Sequence, residues 1–198
     1  MRRLVQSLAS DRRGATIVEF ALILPTLLVT LMGLLDMAHN MYTSQILNGA
    51  IQQAARKSTI EGASRNAGGV DAAVTRSVLG VAPGAKVRFS RSAYLNFGDI
   101  GRPEDWSDLD GNGSCNDGEP FEDANANGGW DRSAGTAGFG GARDAVLYTV
   151  TVDYPRLFPI ARLIPGQSSN VQMQSTTVLR NQPFGVAGKT QPKTGNCT

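Results

Sequence analysis

The sequence RRGATIVEFALILPTLLVTLMGLL, residues 12–35, decides the organisation of this chain. Two bases precede an apolar run of roughly 20 residues, which is long enough to cross a bilayer as a helix. One carboxylate, Glu19, interrupts the start of the run. A charged side chain inside the bilayer costs about 2–3 kcal/mol of free energy or more. A lone acid at this place therefore indicates that Glu19 has a function.

The apolar run is longer than the core of a secretory signal, which has about 7–15 apolar residues and a small-x-small cleavage site. It ends in Leu35-Asp36-Met37-Ala38, where an acid stands in place of the first small residue. We therefore predict a single-pass membrane anchor. Bases precede the run, and none follows it until Arg56, so the positive-inside rule predicts a cytoplasmic N-terminus and an extracytoplasmic C-terminal domain.

Composition and the positions of glycine and proline divide the chain into four parts. They are a basic leader at 1–14, a transmembrane helix at 15–35, an extracytoplasmic domain at 36–184 with an insertion at 96–141, and a polar tail at 185–198 that we predict to be disordered. The net charge is +2, and the basic residues are scattered, which argues against nucleic-acid binding.

Hydrophobic periodicity predicts an α+β fold. The transmembrane helix, in which Pro25 predicts a kink, continues to about Gly62 with an amphipathic second half. Its apolar face is predicted at Leu47, Ala50, Ile51, Ala54, Ala55 and Ser58. After a loop at 62–69, a short helix is predicted at 70–79, and three antiparallel strands at 86–95, 145–154 and 169–180 should cover the small-residue face of the long helix.

The insertion contains a calcium-loop motif, D-x-[DN]-x-[DN]-G-x₅-E, from Asp108 to Glu119. Oxygen ligands at alternate positions can converge on one ion, the glycine makes the tight turn, and the final glutamate closes the shell. The predicted ligands are Asp108, Asp110, Asn112, Ser114, Asn116 and Glu119. The motif predicts a calcium site.

A second segment repeats the first half of this motif, with candidate ligands Asp123, Asn125, Asn127 and Asp131. Its twelfth place holds Ala134 rather than an acid, so we predict a weaker second site. The two segments are too close together for the helices of an EF-hand, and they look more like the tandem calcium loops of dockerins or thrombospondin repeats. The alternative is a solvated acidic loop that binds no metal.

Catalytic signals are poor. His39 is the only histidine, and it is predicted to be a polar surface residue at the membrane edge of the long helix. The neighbouring acids Glu104, Asp105 and Asp108 are better explained as loop acids or metal ligands than as an acid–base pair. We therefore expect no enzyme. Cys115 and Cys197 allow one intramolecular disulfide, and two unpaired thiols are the alternative.

The segment from Gly14 to Phe20 resembles the type IV prepilin signal. In that family a membrane peptidase cuts after the glycine, and a glutamate stands fifth in the mature chain; here the cut would follow Gly14, Ala15 would be the new N-terminus, and Glu19 would be fifth. Residues 12–62, with weaker support from 145–184 and its ending RNQPF, are similar to the TadE-like pseudopilins of tight-adherence (Flp) pilus systems.

The resemblance implies a minor pilin-like subunit of the bacterial inner membrane with a periplasmic domain. Its implied partners are the prepilin peptidase, other pilins or pseudopilins, and the pilus assembly platform. Glu19 would pair with the new amino group of its own or a neighbouring subunit, or else extend to the cytoplasmic headgroups. The alternative function is a membrane-anchored extracytoplasmic binding module with an uncleaved anchor and no role in a pilus.

Overall fold

The chain is described here by a computed structural model that covers residues 13–58, 67–141, 144–163, 165–180 and 192–198. A long N-terminal helix, a second short helix and antiparallel sheets make up the fold. The predicted α+β class is therefore confirmed.

Helix α1 spans Arg13–Ser58 and runs without a break through Pro25. Most large apolar side chains of its first half are exposed, including those of Phe20, Leu22 and Leu34. Further along, Leu47, Ala50, Ile51 and Ala54 of the predicted apolar face are buried. One helix thus has an uncovered apolar half and an amphipathic half, and its predicted end near Gly62 lies outside the described residues.

The chain divides into two compact units. One consists of Met1–Tyr42 and Pro155–Val171, and the other of Thr43–Tyr154 and Gln172–Thr198. In the first unit, the Asp36 carboxylate accepts hydrogen bonds from the Arg156 guanidinium and from Asn40. Arg156 also donates to the Ser168 carbonyl at 2.8 Å. This ion pair fixes the segment around α3 (Ile160–Leu163) to the helix.

The main sheet of the second unit has the strand order β3-β1-β4-β5. Strand β1 (Lys86–Tyr94) pairs antiparallel with β4 (Ala145–Pro155) over its whole length, with Lys86 opposite Asp153 and Tyr94 opposite Ala145. Strand β5 (Asn170–Arg180) lies on the other side of β4. The three predicted strands are therefore present, and β3 (Thr136–Ala137), within the insertion, is an addition.

The alternation in β4 determines which face forms the core. Val146, Tyr148, Val150, Val152 and Tyr154 are all buried, as the period of two predicts.

Both the sheet and α2 contact α1. The Ser175 hydroxyl of β5 donates to Asn48 at 2.6 Å, and α2 (Ala67–Leu79) faces Ala50 and Ala54 across a narrow crevice. Residues 67–69, predicted as loop, belong to α2.

Arg91 connects α2, the sheet and the insertion. It donates to Asp71 at 2.5 Å and lies over the rings of Phe139 and Tyr148, 4.7 and 4.5 Å from their centroids. The Tyr148 hydroxyl donates to the same Asp71 oxygen at 2.7 Å. Burial and this hydrogen bond raise the pKa of Tyr148 well above its ordinary value, so the phenol remains a donor to Asp71.

The described end of the chain, residues 192–198, is ordered, contrary to the disorder predicted for 185–198, and residues 185–191 lie outside the described residues. Strand β6 (Lys193–Asn196) pairs antiparallel with β2 (Pro120–Asp123) in a second, two-stranded sheet. Residue 106 makes a further bridge to Phe121 on the other edge of β2. The polar, glycine-containing composition of the tail predicted disorder. The prediction was wrong for 193–196 because β6 is stabilised by pairing with β2, which is far away in sequence, and such pairing leaves no local pattern.

Candidate metal loops and membrane helix

The insertion contains the two predicted loops in tandem. We call residues 108–119 the first loop and residues 123–134 the second loop. The left-handed backbone positions also correspond: Gly111 and Ala126 at the fourth place have φ of 74° and 58°, and Gly113 and Gly128 at the sixth have 74° and 86°. The loops therefore share their backbone turns as well as their sequence pattern.

In the first loop, side-chain oxygens at alternate positions accept main-chain hydrogen bonds. Asp108 accepts from the amides of residues 111, 112 and 113 at 2.7–3.1 Å. Asp110 accepts from the amide of Asn112 at 3.0 Å, and Asn112 accepts from the amide of Ser114 at 2.7 Å. The Asn112 side-chain amide donates to both Asp110 and Asn116. Five of the six predicted ligand positions thus belong to one network through side-chain or main-chain atoms.

Glu119 completes the first loop from its twelfth position. It is buried, with 2% of its surface exposed. Its carboxylate accepts from the amides of Leu109 at 2.6 Å, Asp110 at 3.4 Å and Asn116 at 3.3 Å. Carboxylate oxygens of Asp108, Asp110 and Glu119 all lie within 4.8 Å of one another.

The second loop repeats most of this network. Asp123 accepts from the amides of Asn127 at 3.1 Å and Gly128 at 2.9 Å. Asn125 and Asn127 accept from amides two residues ahead at 3.0 and 2.8 Å, as their counterparts do in the first loop. Both asparagine side-chain amides donate to Asp131.

Glu104 takes the place of the missing twelfth residue in the second loop. It is also only 2% exposed, and its carboxylate accepts from the amides of Ala124 at 2.9 Å, Asn125 at 3.4 Å and Asp131 at 3.0 Å. These are loop positions two, three and nine, the same three positions that Glu119 contacts in the first loop. A carboxylate therefore closes each loop.

The backbone explains how a residue from before the first loop closes the second. The Ala134 amide donates to the Arg102 carbonyl, and the Glu104 amide donates to the Asp131 carbonyl, so residues 102–104 run beside the end of the second loop. The indole of Trp130 donates to the Glu104 carbonyl at 2.9 Å. The sequence predicted Glu104 as a loop acid or metal ligand but not as the residue that closes the second loop, because the motif's twelfth place is Ala134.

The donor set of both loops fits a hard divalent cation. Every candidate ligand offers oxygen, and each loop contributes three carboxylates: Asp108, Asp110 and Glu119 in the first, and Asp123, Asp131 and Glu104 in the second. Calcium takes six to eight oxygen ligands, including carboxylates, amide carbonyls and water. The three carboxylates of the first loop lie close enough to repel one another, and a bound cation would relieve that repulsion. Among the described residues, Asp123, Asp131 and Glu104 do not form so close a group.

The two cysteines are joined. A disulfide connects Cys115 of the first loop to Cys197 beyond β6, with a Cα–Cα distance of 5.3 Å. The Cys197 amide also donates to the Glu119 carbonyl at 2.8 Å, and the Gly118 amide donates to the Cys197 carbonyl at 3.0 Å. The end of the chain is thereby attached to the residue that closes the first loop.

The candidate processing and assembly residues lie in the apolar half of α1. Gly14, Ala15 and Glu19 are all exposed there, within the first two turns of the helix. By length and composition, α1 could span a membrane, and it is the only helix in the described residues that could. His39 lies further along α1, and Asp105 belongs to the segment beside β2 rather than to either loop network.

Ala126 allows a direct test of the loop backbone. It adopts φ of 58° with a side chain, whereas its counterpart Gly111 does so without one. A left-handed backbone conformation costs a residue with a side chain about 1–2 kcal/mol, and glycine avoids this steric cost. Glycine also loses more conformational entropy on folding, which offsets part of the gain. We expect Ala126→Gly to raise the free energy of unfolding of the full chain by about 0.5–1 kcal/mol, measured by denaturant titration.

Gly128→Ala is the matched reverse substitution, because Gly128 has φ of 86° and open space around its Cα. It should lower the free energy of unfolding. If Ala126→Gly destabilised the chain as much as Gly128→Ala does, the described backbone of the second loop would be wrong.

One known protein family matches the sequence of α1, the helix that could span a membrane. The family described as TadE-like protein matches residues 14–56, which begin at Gly14, include Glu19 and end in the last turn of α1. No curated protein and no solved structure gives a match. The predicted resemblance to TadE-like proteins is therefore confirmed over residues 14–56.

Proposed function

We propose that the chain is a pseudopilin or minor pilus subunit that acts in the assembly or anchoring of a tight-adherence pilus at the bacterial inner membrane. The observation that carries the proposal is the TadE-like match over α1, which includes a lone carboxylate within an uncovered apolar helix. In this proposal the basic leader remains in the cytoplasm and the domain beyond Leu35 lies in the periplasm. No catalytic or nucleic-acid-binding role is assigned.

The proposed role of Glu19 follows from its distance to Gly14. A prepilin peptidase would cut after Gly14, creating a positive α-amino group at Ala15, one helical turn from the Glu19 carboxylate. Both charges would then lie at the edge of a low-dielectric region, where each is costly alone and the two are compensated as a pair. The amino group of the same or a neighbouring pilin subunit could supply the positive charge.

Calcium is the second part of the proposal. Asp108, Asp110 and Glu119 would hold one ion with oxygens from Asn112, Ser114 and Asn116. Asp123, Asp131 and Glu104 would hold a second ion with oxygens from Asn125 and Asn127. The support is the matched carboxylate closure of the two loops by buried glutamates. When bound, calcium would neutralise the clustered carboxylates and so stabilise the insertion.

A groove in the domain that we propose to be periplasmic favours one alternative function. This alternative is a membrane-anchored binding module without a pilus role. The groove has a volume of about 470 Å³ and lies over β2 and β6, with Trp106, Glu122 and Lys193 among its lining residues. Its size is within the range of small-ligand sites, about 300–1,000 Å³. An uncleaved anchor would favour this alternative.

Replacement of Glu19 tests the pilus role. We expect Glu19→Ala to abolish surface pili, because removal of one partner of a buried ion pair costs about 3–5 kcal/mol. Pili are counted by electron microscopy, while the amount of the protein in membranes is followed by immunoblotting. Glu19→Asp, which keeps the charge, should restore part of the pilus number.

Thr30→Ala is the control for this experiment, since Thr30 is another exposed polar residue of the same apolar half, and its hydroxyl bonds only to the Thr26 carbonyl among the described contacts. It should leave the number of pili unchanged. Normal pili in cells that carry Glu19→Ala at wild-type membrane levels would contradict the proposed role.

Calorimetric titration with calcium tests the metal sites on the full chain in detergent. We expect two binding events with dissociation constants of about 0.1–1 mM, the range of extracellular calcium modules. Asp110→Ala should weaken the first event and Glu104→Gln the second, each by about 10-fold or more, because each removes a carboxylate charge from one loop.

Asp117→Asn is the matched control, because Asp117 belongs to the first loop but stands at its tenth place, outside the ligand positions. It removes the same charge and should change neither event by more than about twofold. The absence of heat at millimolar calcium would contradict the calcium proposal.

A further inference from the structure

The last residues of the chain form a strap across the first loop. We define the C-terminal strap as residues 193–197, which comprise β6 and Cys197. It is held by the ladder with β2, by two hydrogen bonds between Cys197 and residues 118 and 119, and by the disulfide to Cys115. Three kinds of contact therefore converge on the segment that carries Glu119.

The strap reaches Glu119 through its main chain. The Cys197 amide donates to the Glu119 carbonyl, while the Glu119 side chain accepts from amides of the first loop. The position of the carboxylate consequently depends on a backbone that the strap fixes. Residues of this kind orient a ligand without touching the ion, and their removal costs about 10–100-fold in metal affinity.

The second loop has a different support. The Glu104 amide donates to the Asp131 carbonyl, and the Glu104 carbonyl accepts from the Trp130 indole. Both partners belong to the second loop, and none of these contacts involves the strap. The strap meets the second loop at Asp123, which lies opposite Lys193, at the end of β6 away from the disulfide. The two loops are thus alike in their ligands and different in what holds the closing glutamate.

We propose that the Cys115–Cys197 disulfide makes the strap a redox-dependent latch that sets the cation affinity of the first loop and leaves the second loop unaffected. The inference rests on the proposed calcium function for its effect on affinity. The latch bond forms when two thiols lose two protons and two electrons to the disulfide of a thiol–disulfide exchange partner, which is released as a dithiol. Reduction reverses this step and leaves the strap held only by non-covalent contacts, the β ladder and the two Cys197 hydrogen bonds.

Gly195 provides a second way to release the strap without changing the thiols. Gly195 lies opposite Phe121, and a Cβ on Gly195 would lie 2.5 Å from two carbons of the phenyl ring. Gly195→Ala must therefore displace the strap or the Phe121 ring, which is buried. Gly98→Ala in the same insertion is the matched control, because a Cβ there meets open space.

The first test measures calcium affinity of the full chain in detergent, oxidised and reduced, by calorimetry. Glu104→Gln isolates the first loop, and Glu119→Gln isolates the second. Reduction should weaken calcium binding by about 10–100-fold in the Glu104→Gln chain and by less than about twofold in the Glu119→Gln chain. Equal affinity of the oxidised and reduced first loop, or an equal loss in both loops, would overturn the latch.

The second test needs no metal and separates failure of the latch from failure of the calcium proposal. Amide hydrogen exchange of the calcium-free chain should show that reduction lowers protection at residues 118–122 and 194–197 and leaves residues 124–131 unchanged. Gly195→Ala should have the same effect in the oxidised chain, and Gly98→Ala should have none. Unchanged protection at residues 118–122 after reduction, or in Gly195→Ala, would overturn the proposal even if calcium binds.

Discussion

The continuity of α1 through two environments is the constraint on which the rest of the structure depends. Its first half presents large apolar side chains that no described residue covers, whereas its second half buries an apolar face in the domain. Uncovered apolar area of this extent is costly in water and favourable in lipid. By length and composition, α1 could span a membrane with its first half, and its second half is a structural stem of the domain. The ion pair between the buried Asp36 and the half-buried Arg156 lies where the apolar run ends and attaches the connection between β4 and β5 to α1.

The insertion solves a different problem, because a glycine-rich acidic segment has little apolar surface with which to order itself. Its order comes from carboxylates that accept main-chain hydrogen bonds. Glu119 and Glu104 are buried and each accepts from three amides, at the same positions of the two loops. Carboxylates stabilise such turns through charge-assisted hydrogen bonds, yet their mutual repulsion favours a cation nearby. The disulfide and β6 then attach the end of the chain to the first of these loops.

Periodic sequence patterns predicted the parts of the fold that depend on neighbours in the chain. The apolar face at Leu47 to Ala54 and the alternating residues of β4 are local signals, and the side chains that they predict to be in the core are buried. The first loop was likewise predicted from its spacing. The role of Glu104 in the second loop and the strand β6 were not predicted, because each acts on a segment far away in sequence: Glu104 closes a loop that begins at Asp123, and β6 pairs with residues 120–123. Composition predicted disorder for the tail, and non-local pairing with β2 overrides that tendency.

The most direct test of the account is the N-terminal sequence of the mature protein, isolated from membranes of the cells that produce it. The central claim is that α1 is processed after Gly14 and that Glu19 then lies one turn from the new amino group. The account predicts a mature chain that begins at Ala15. A mature chain that retains Arg2 and Arg3 would contradict it and would favour an anchored binding module without a role in the pilus.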